Sequence, residues 1–223
     1  MATRTDPSPE PRIPLSKERV LRAAIVHVDE GGIESLTMRK LAQALGVEAM
    51  SLYHYVAKKD DILDGIVDIV LREIEVPAKE ADWKAAIRKS AISAHEVLLR
   101  HPWACSLILA MSRISPARLR YMESLLATLR EAGFSPDLTY HAYHALDSHI
   151  MGFTLWEANF PADSEDLAAL AAPFLREFPA DEYPHLAEHI QQHLNESGHD
   201  DEGEFEFVLD LILDGLERVR GTA

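Results

Sequence analysis

This chain of 223 residues has one cysteine, Cys105, so no intrachain disulfide can form and a reducing compartment fits. Cys105 sits in an apolar stretch and reads as a small buried side chain. No apolar run approaches the ~20 residues that a membrane-spanning helix needs. The first residues, MATRTDPSPEPRIPLS, are rich in proline and have no apolar core. Residues 1–15 therefore read as a disordered tail and not as a secretion signal. The expected location is cytoplasmic, with no membrane partner. Enzyme motifs are missing too: there is no G-x-S-x-G, no P-loop and no G-x-G-x-x-G. In the nearest approach to a zinc H-E-x-x-H motif, HLAEH at 185–189, Glu188 stands at the wrong offset. The expectation is a protein that is not an enzyme and holds no metal or cofactor.

Positive charge is scarce: 22 Lys and Arg face 37 Asp and Glu, for a net charge of −15. The deficit is uneven. Residues 1–59 carry nine basic and seven acidic side chains, leaving thirteen basic and thirty acidic for residues 60–223. Charge is screened beyond about 8–10 Å at physiological salt. A mildly basic head on an acidic body is therefore compatible with a polyanionic partner.

Alternating strand patterns are absent, while helical periodicity runs through almost every long segment. Ser16 caps a first helix whose inward stripe is Val20, Leu21, Ala24, Ile25 and Val28. A helix over 59–75 has Ile62, Leu63, Ile66, Val67, Val70 and Leu71 facing inward, and Pro77 stops it. Residues 76–81 read as a linker. Further helices are expected over 83–100, 103–111, 116–132, 136–159, 165–174, 181–194 and 204–220. Ser115-Pro116 and Ser135-Pro136 both carry the start signal of an N-cap followed by proline.

The densest information lies in LTMRKLAQALGVEAMSLYHYVAKKDDIL, residues 36–63. Thr37 stands at an N-cap position between Leu36 and Leu41, which are spaced as a hydrophobic staple. Leu41, Ala42 and Leu45 make one apolar face, and Gly46 supplies the backbone freedom that ends the helix. Leu52 and Val56 can anchor a second short helix. That leaves Ala49, Met50, Ser51, Tyr53, His54 and Tyr55 to face outward or pack at its edges. Two short helices around a tight turn form a helix-turn-helix, which places a helix in the DNA major groove.

Together with the preceding helix, this segment resembles the DNA-binding head of the TetR family of bacterial transcriptional regulators, the tetracycline repressor branch in particular. The match is carried by LT-x-RKLAQ-x-LGVE, the Leu-Tyr pair and Val-x-x-Lys. The resemblance implies an all-α fold. A three-helix head within 16–75 is joined by a long helix to a larger effector-binding and dimerisation domain at 82–220. It also implies a ligand-responsive repressor that binds a palindromic operator as a homodimer and is released by a small-molecule effector.

Carried over residue by residue, the resemblance gives Arg39 a base contact and Thr37 and Lys59 backbone contacts. Tyr53 and Tyr55 fall at phosphate or groove positions; Met38, Ala49, Met50, Ser51 and His54 complete the candidate surface. Gln-Pro-Thr of the tetracycline repressor is replaced by Ala49-Met50-Ser51. Alanine cannot read adenine as an amide does, so the operator sequence does not carry over. The resemblance places an effector pocket among the helices of 83–159, with His95, Met122, Leu125, Tyr140, Tyr143, Asp147 and Trp156 as candidate lining. Residues 103–111 contain no histidine where the tetracycline repressor uses one, so tetracycline itself is not expected.

The last long helix and residues 136–159 match the two helices that pair between subunits in the family. Gly152, Phe205, Val208, Ile212, Gly215 and Leu216 are the candidate dimer face; a mid-helix glycine suits a close approach. His185, His189 and His193 lie at i, i+4, i+8, and His141, His144 and His149 cluster with Asp147. Both sets read as pocket lining or solvated faces. Two other classes stay open: a helical ligand-binding or adaptor protein without DNA binding, and a small helical enzyme using the histidines.

Overall fold

The computed structural model describes residues 14–78, 82–110, 115–159, 172–174, 176, 178–195 and 202–221. Most of the expected tail, part of the 76–81 linker and most of the expected 165–174 helix lie outside the described residues. So does the side chain of His193. Among the described residues every regular element is helical. The chain divides into two compact units, and the division falls between Ile66 and Val67.

The first unit contains α1 (Lys17–Gly31), a short 3-10 turn (Ile33–Ser35), α2 (Met38–Leu45), α3 (Ala49–Leu52) and the start of α4 (Lys59–Glu73). Its helix ends follow from side-chain chemistry. Ser16 Oγ accepts the Arg19 N–H, Thr37 Oγ1 accepts the Lys40 N–H, and Asp61 accepts the Ala57 and Lys58 N–H groups ahead of α4. Val20, Ala24, Val28, Leu36, Leu41 and Leu52 are buried, as the helical stripes require.

The second unit continues with α5 (Trp83–Arg100), α6 (Trp103–Ala110), α7 (Pro116–Glu131), α8 (Pro136–Asn159), α9 (Pro184–Asn195) and α10 (Glu202–Arg220). Both Ser-Pro signals start helices: Ser115 Oγ accepts from Arg118 N and Ser135 Oγ from Leu138 N. Gly133, at φ 91°, turns the chain between α7 and α8.

Helix α5 is the centre of this unit and packs on α8, α7 and α10. It buries Ile87, Ala91, Ala94, Val97 and Leu98 against them. Acidic side chains of α10 meet the basic face of α5. Lys84 pairs with Asp214 and Glu217, and Arg88 pairs with Glu206 and Asp210. Part of the acidic excess is thus matched within the chain.

The inward stripe of α10 shares only Phe205 with the face expected to meet a second subunit. Phe205, Leu209 and Leu213 are buried, while Phe207 and Leu211 are exposed. Phe205 is therefore a core residue of its own chain, one position in a stripe at i, i+4, i+8. Val208, Ile212, Gly215 and Leu216 are half-buried. Among the described residues a Cβ added at Gly152 or Gly215 would meet nothing within 4 Å, so no close approach among them requires either glycine.

Candidate functional site

The helix-turn-helix is built around Gly46. Its left-handed backbone (φ 68°, ψ 33°) ends α2, and the Val47 N–H returns to the Ala42 carbonyl at 3.0 Å. The reading helix is shorter than the motif suggests. Regular α-helix covers only Ala49–Leu52, and Tyr53 continues in right-handed geometry. The Tyr55 and Val56 N–H groups then both close on the Leu52 carbonyl, at 2.9 and 3.0 Å. Two aromatic neighbours and a histidine in succession favour this tight turn over a longer helix. Leu52 and Val56 are buried and fix the segment from beneath.

Anchoring on those two residues turns the rest outward. Met50 is 73% exposed and Tyr53 47%, so Tyr53 is a surface residue and not core packing. Thr37, Arg39, His54 and Tyr55 are exposed; Met38, Ala49, Ser51 and Lys59 are half-buried. All ten candidate residues thus lie in the first unit on or next to α2, α3 and the start of α4. Lys58, beside Lys59, is held by Asp60 at 2.8 Å.

The second unit contains a cavity of about 30 Å³ between α5, α7 and α8, closed by the end of α4 and by Ile108 of α6. Leu71, Ile74, Leu98 and Ile150 supply apolar wall, and Arg118, Tyr121, Tyr143 and Asp147 form a polar end. Of the seven lining residues expected from the sequence, Met122, Tyr143 and Asp147 meet here. The other four lie elsewhere. Leu125 is buried in the core, Tyr140 is exposed, and Trp156 packs on Phe153. His95 belongs to a separate cluster: its Nδ1 shares a hydrogen bond with Thr154 Oγ1 at 2.9 Å, and its Nε2 lies 3.0 Å from a Glu157 carboxylate oxygen. The Thr154 hydroxyl also reaches the Ile150 carbonyl at 2.7 Å.

Arg118 and Tyr121 were not among the expected lining residues. The signal was present, since Arg118, Tyr121, Met122 and Leu125 share one face at i, i+3, i+4, i+7. Which part of that face meets the cavity depends on how α7 is rotated against α5 and α8, and only packing sets that.

The electrostatics of the polar end follow from burial. Desolvation raises the Asp147 pKa, and Arg118 and His144 oppose the rise. Desolvation and the nearby Asp147 raise Tyr143, again against Arg118. Tyr121 is pushed up more strongly, by burial first and then by Asp147 and Tyr143, so its hydroxyl remains a neutral donor. Among the described residues no group of three or more His, Cys, Asp or Glu side chains could hold a metal ion. No described helix is long and apolar enough to cross a membrane.

Residues 20–66 match the family model for bacterial regulatory proteins of the TetR family, and residues 76–220 match the tetracycline repressor-like C-terminal domain. The chain belongs to the TetR family. An HTH-type transcriptional regulator from Saccharopolyspora erythraea is 33% identical, with 78% of this chain and 74% of the relative aligned. ActR from Streptomyces coelicolor in complex with actinorhodin superposes with a TM-score of 0.74 at 26% identity, covering 94% of this chain and all (100%) of that one. BioQ with its double-stranded DNA operator superposes at 0.62 and 25% identity, covering 91% of this chain and 98% of that one. This TetR-family chain is thus a transcriptional regulator by descent, with matches to both of its units.

Proposed function

We propose that this TetR-family regulator is a repressor that binds a near-palindromic operator as a homodimer and is released by a small molecule bound between α5, α7 and α8. The observation that carries the reading is the exposed set Thr37, Arg39, Met50, Tyr53 and Tyr55 on a helix-turn-helix anchored by Leu52 and Val56. Arg39 reads a base edge; Thr37, Lys59 and the tyrosines hold phosphates. The operator in BioQ and the actinorhodin in ActR are taken as the two kinds of ligand that this fold accepts. On this reading the functional division is a head at 16–75 and an effector and dimerisation domain at 82–220. Gly152 and Gly215, open among the described residues, face the second subunit, as do the exposed Phe207 and Leu211. The protein works in the cytoplasm and has no catalytic role.

The effector acts through its different affinity for two conformations; a hundredfold loss of operator binding needs about 2.7 kcal/mol of coupling. The test is fluorescence anisotropy with duplex DNA from upstream of the protein's own gene. A salt-sensitive complex that outcompetes scrambled DNA is expected. Equal affinity for both duplexes, or none for either, would sink the repressor reading.

A further inference from the structure

We propose that the effector is an uncharged, largely apolar molecule carrying a hydroxyl beside a carbonyl-type acceptor, and that the Tyr121 hydroxyl is its hydrogen-bond anchor. This rests on reading the α5–α7–α8 cavity as the effector site.

Three observations converge on that chemistry. The first is the Tyr121 hydroxyl itself, which is fully buried and makes no hydrogen bond to any described group. Ser90 lies beside it and slightly offsets the burial effect on its pKa, but no hydrogen-bond geometry closes between them. The Ser90 hydroxyl instead donates to the Glu75 carbonyl at 2.6 Å. A buried donor without an acceptor lowers stability, and each such group calls for an explanation. An acceptor on a ligand supplies one.

The second is charge balance. Arg118 and Asp147 both line the polar end and interact with each other. Their charges cancel, so an ionic ligand would bring an uncompensated charge into an apolar cavity. A neutral hydroxyl can donate to Asp147 while its neighbouring carbonyl accepts from Tyr121. The donor and acceptor therefore belong on one edge of the molecule.

The third is size. The cavity of about 30 Å³ has room for little more than a water molecule. A ligand must displace its walls, and two of the wall residues, Met122 and Met151, are unbranched and repack at low cost. Arg118, Tyr121 and Met122 all ride on α7, so entry at the polar end moves that helix against α5 and α8.

The test uses the full-length protein and four probes on one ring system, followed by calorimetry. These are 1-hydroxy-2-acetonaphthone, 1-hydroxy-2-naphthoate, 1-naphthylmethylammonium and 2-methylnaphthalene. The hydroxyketone should bind at least about tenfold more tightly than the anion, the cation or the hydrocarbon. Tyr121→Phe should weaken the hydroxyketone about tenfold and should raise the Tm of the ligand-free protein, because it removes an unpaired buried hydroxyl. No binding of the hydroxyketone, equal binding of either ion, or a Tyr121→Phe variant with lower Tm and unchanged affinity overturns the proposal. Operator binding by the wild type is measured without any probe. Probe ranking without DNA binding overturns the repressor reading alone, and DNA binding without the ranking overturns the effector class alone.

Discussion

The Phe205 ring lies flat on the His95 imidazole, with centroids 4.0 Å apart and planes 9° from parallel. His149 stacks on the same ring at 4.6 Å, and Phe153 meets it edge-on. The start of α10 is thereby clamped between a side chain of α5 and one of α8. A residue that the helical pattern offered to a second subunit instead holds its own chain together.

Phe205→Ala should therefore cost about 3–5 kcal/mol in folding stability, as expected for deletion of a buried aromatic ring. Phe207, two residues on and 66% exposed, should behave differently. Phe207→Ser should leave the stability of the single chain within about 0.5 kcal/mol and weaken self-association. Urea unfolding reads the first effect and light scattering across a dilution series reads the second. Equal loss of stability in both variants would contradict this division of labour.

Stability should also fall as the solution is acidified. Burial lowers the pKa of His149, outweighing the pull of its Nε2–H bond to the Phe205 carbonyl at 3.0 Å. The folded value lies below the unfolded one of about 6.5, so the unfolded chain takes up the proton first. The stabilisation is intact above the unfolded pKa and is lost as pH falls through it toward the folded value. Burial and the nearby His149 push His95 the same way, to about 4. Urea unfolding between about pH 7 and about pH 5 should show the decline, and His149→Gln should flatten it. A wild-type stability that rose on acidification would reverse the assignment.

Arg39 and Lys59 are expected to do different work on DNA. Arg39 is exposed in the first turn of α2, where its guanidinium can fork onto guanine O6 and N7. Arg39→Ala should cost about 1–3 kcal/mol on operator and relax preference at one base pair per half-site. Lys59→Ala should weaken operator and scrambled DNA alike and lower the salt slope by roughly one unit per subunit. Affinities for both DNAs across a salt series separate the two. Equal weakening of both DNAs by Arg39→Ala would move that residue to the phosphate contacts.

Cys105 should be inert in the folded protein. It is fully buried, and burial pushes its thiol up to about 11. A thiol-reactive disulfide reagent at mildly alkaline pH should label it only after denaturant is added. Rapid labelling of the native protein would show that α6 opens readily.

Much of this protein was legible in order along the chain. Ser16, Thr37, Ser115 and Ser135 start helices because a hydroxyl beside an orphan N–H is a local interaction. Gly46 ends α2 because its left-handed backbone is local too. Leu52 and Val56 are both buried, and so the outward residues of the DNA-reading turn could be named before any packing was known.

Tertiary packing decided the rest, because rotating a helix by one position leaves its sequence pattern almost unchanged. On α10, Val208 and Leu209 both suit an apolar stripe, and contact with α5 and α8 selects Leu209 and buries Phe205 with it. On α7, the same freedom brought Arg118 and Tyr121 into the cavity with Met122 and left Leu125 in the core. His95 lies 59 residues before Thr154 in sequence and meets Thr154 and its helix neighbour Glu157 only because α5 packs on α8. Caps, turns and apolar periods are properties of neighbouring residues, so the sequence determines them directly. Which apolar face meets which helix, and so which polar side chain lacks a partner, depends on the summed packing of three helices at once.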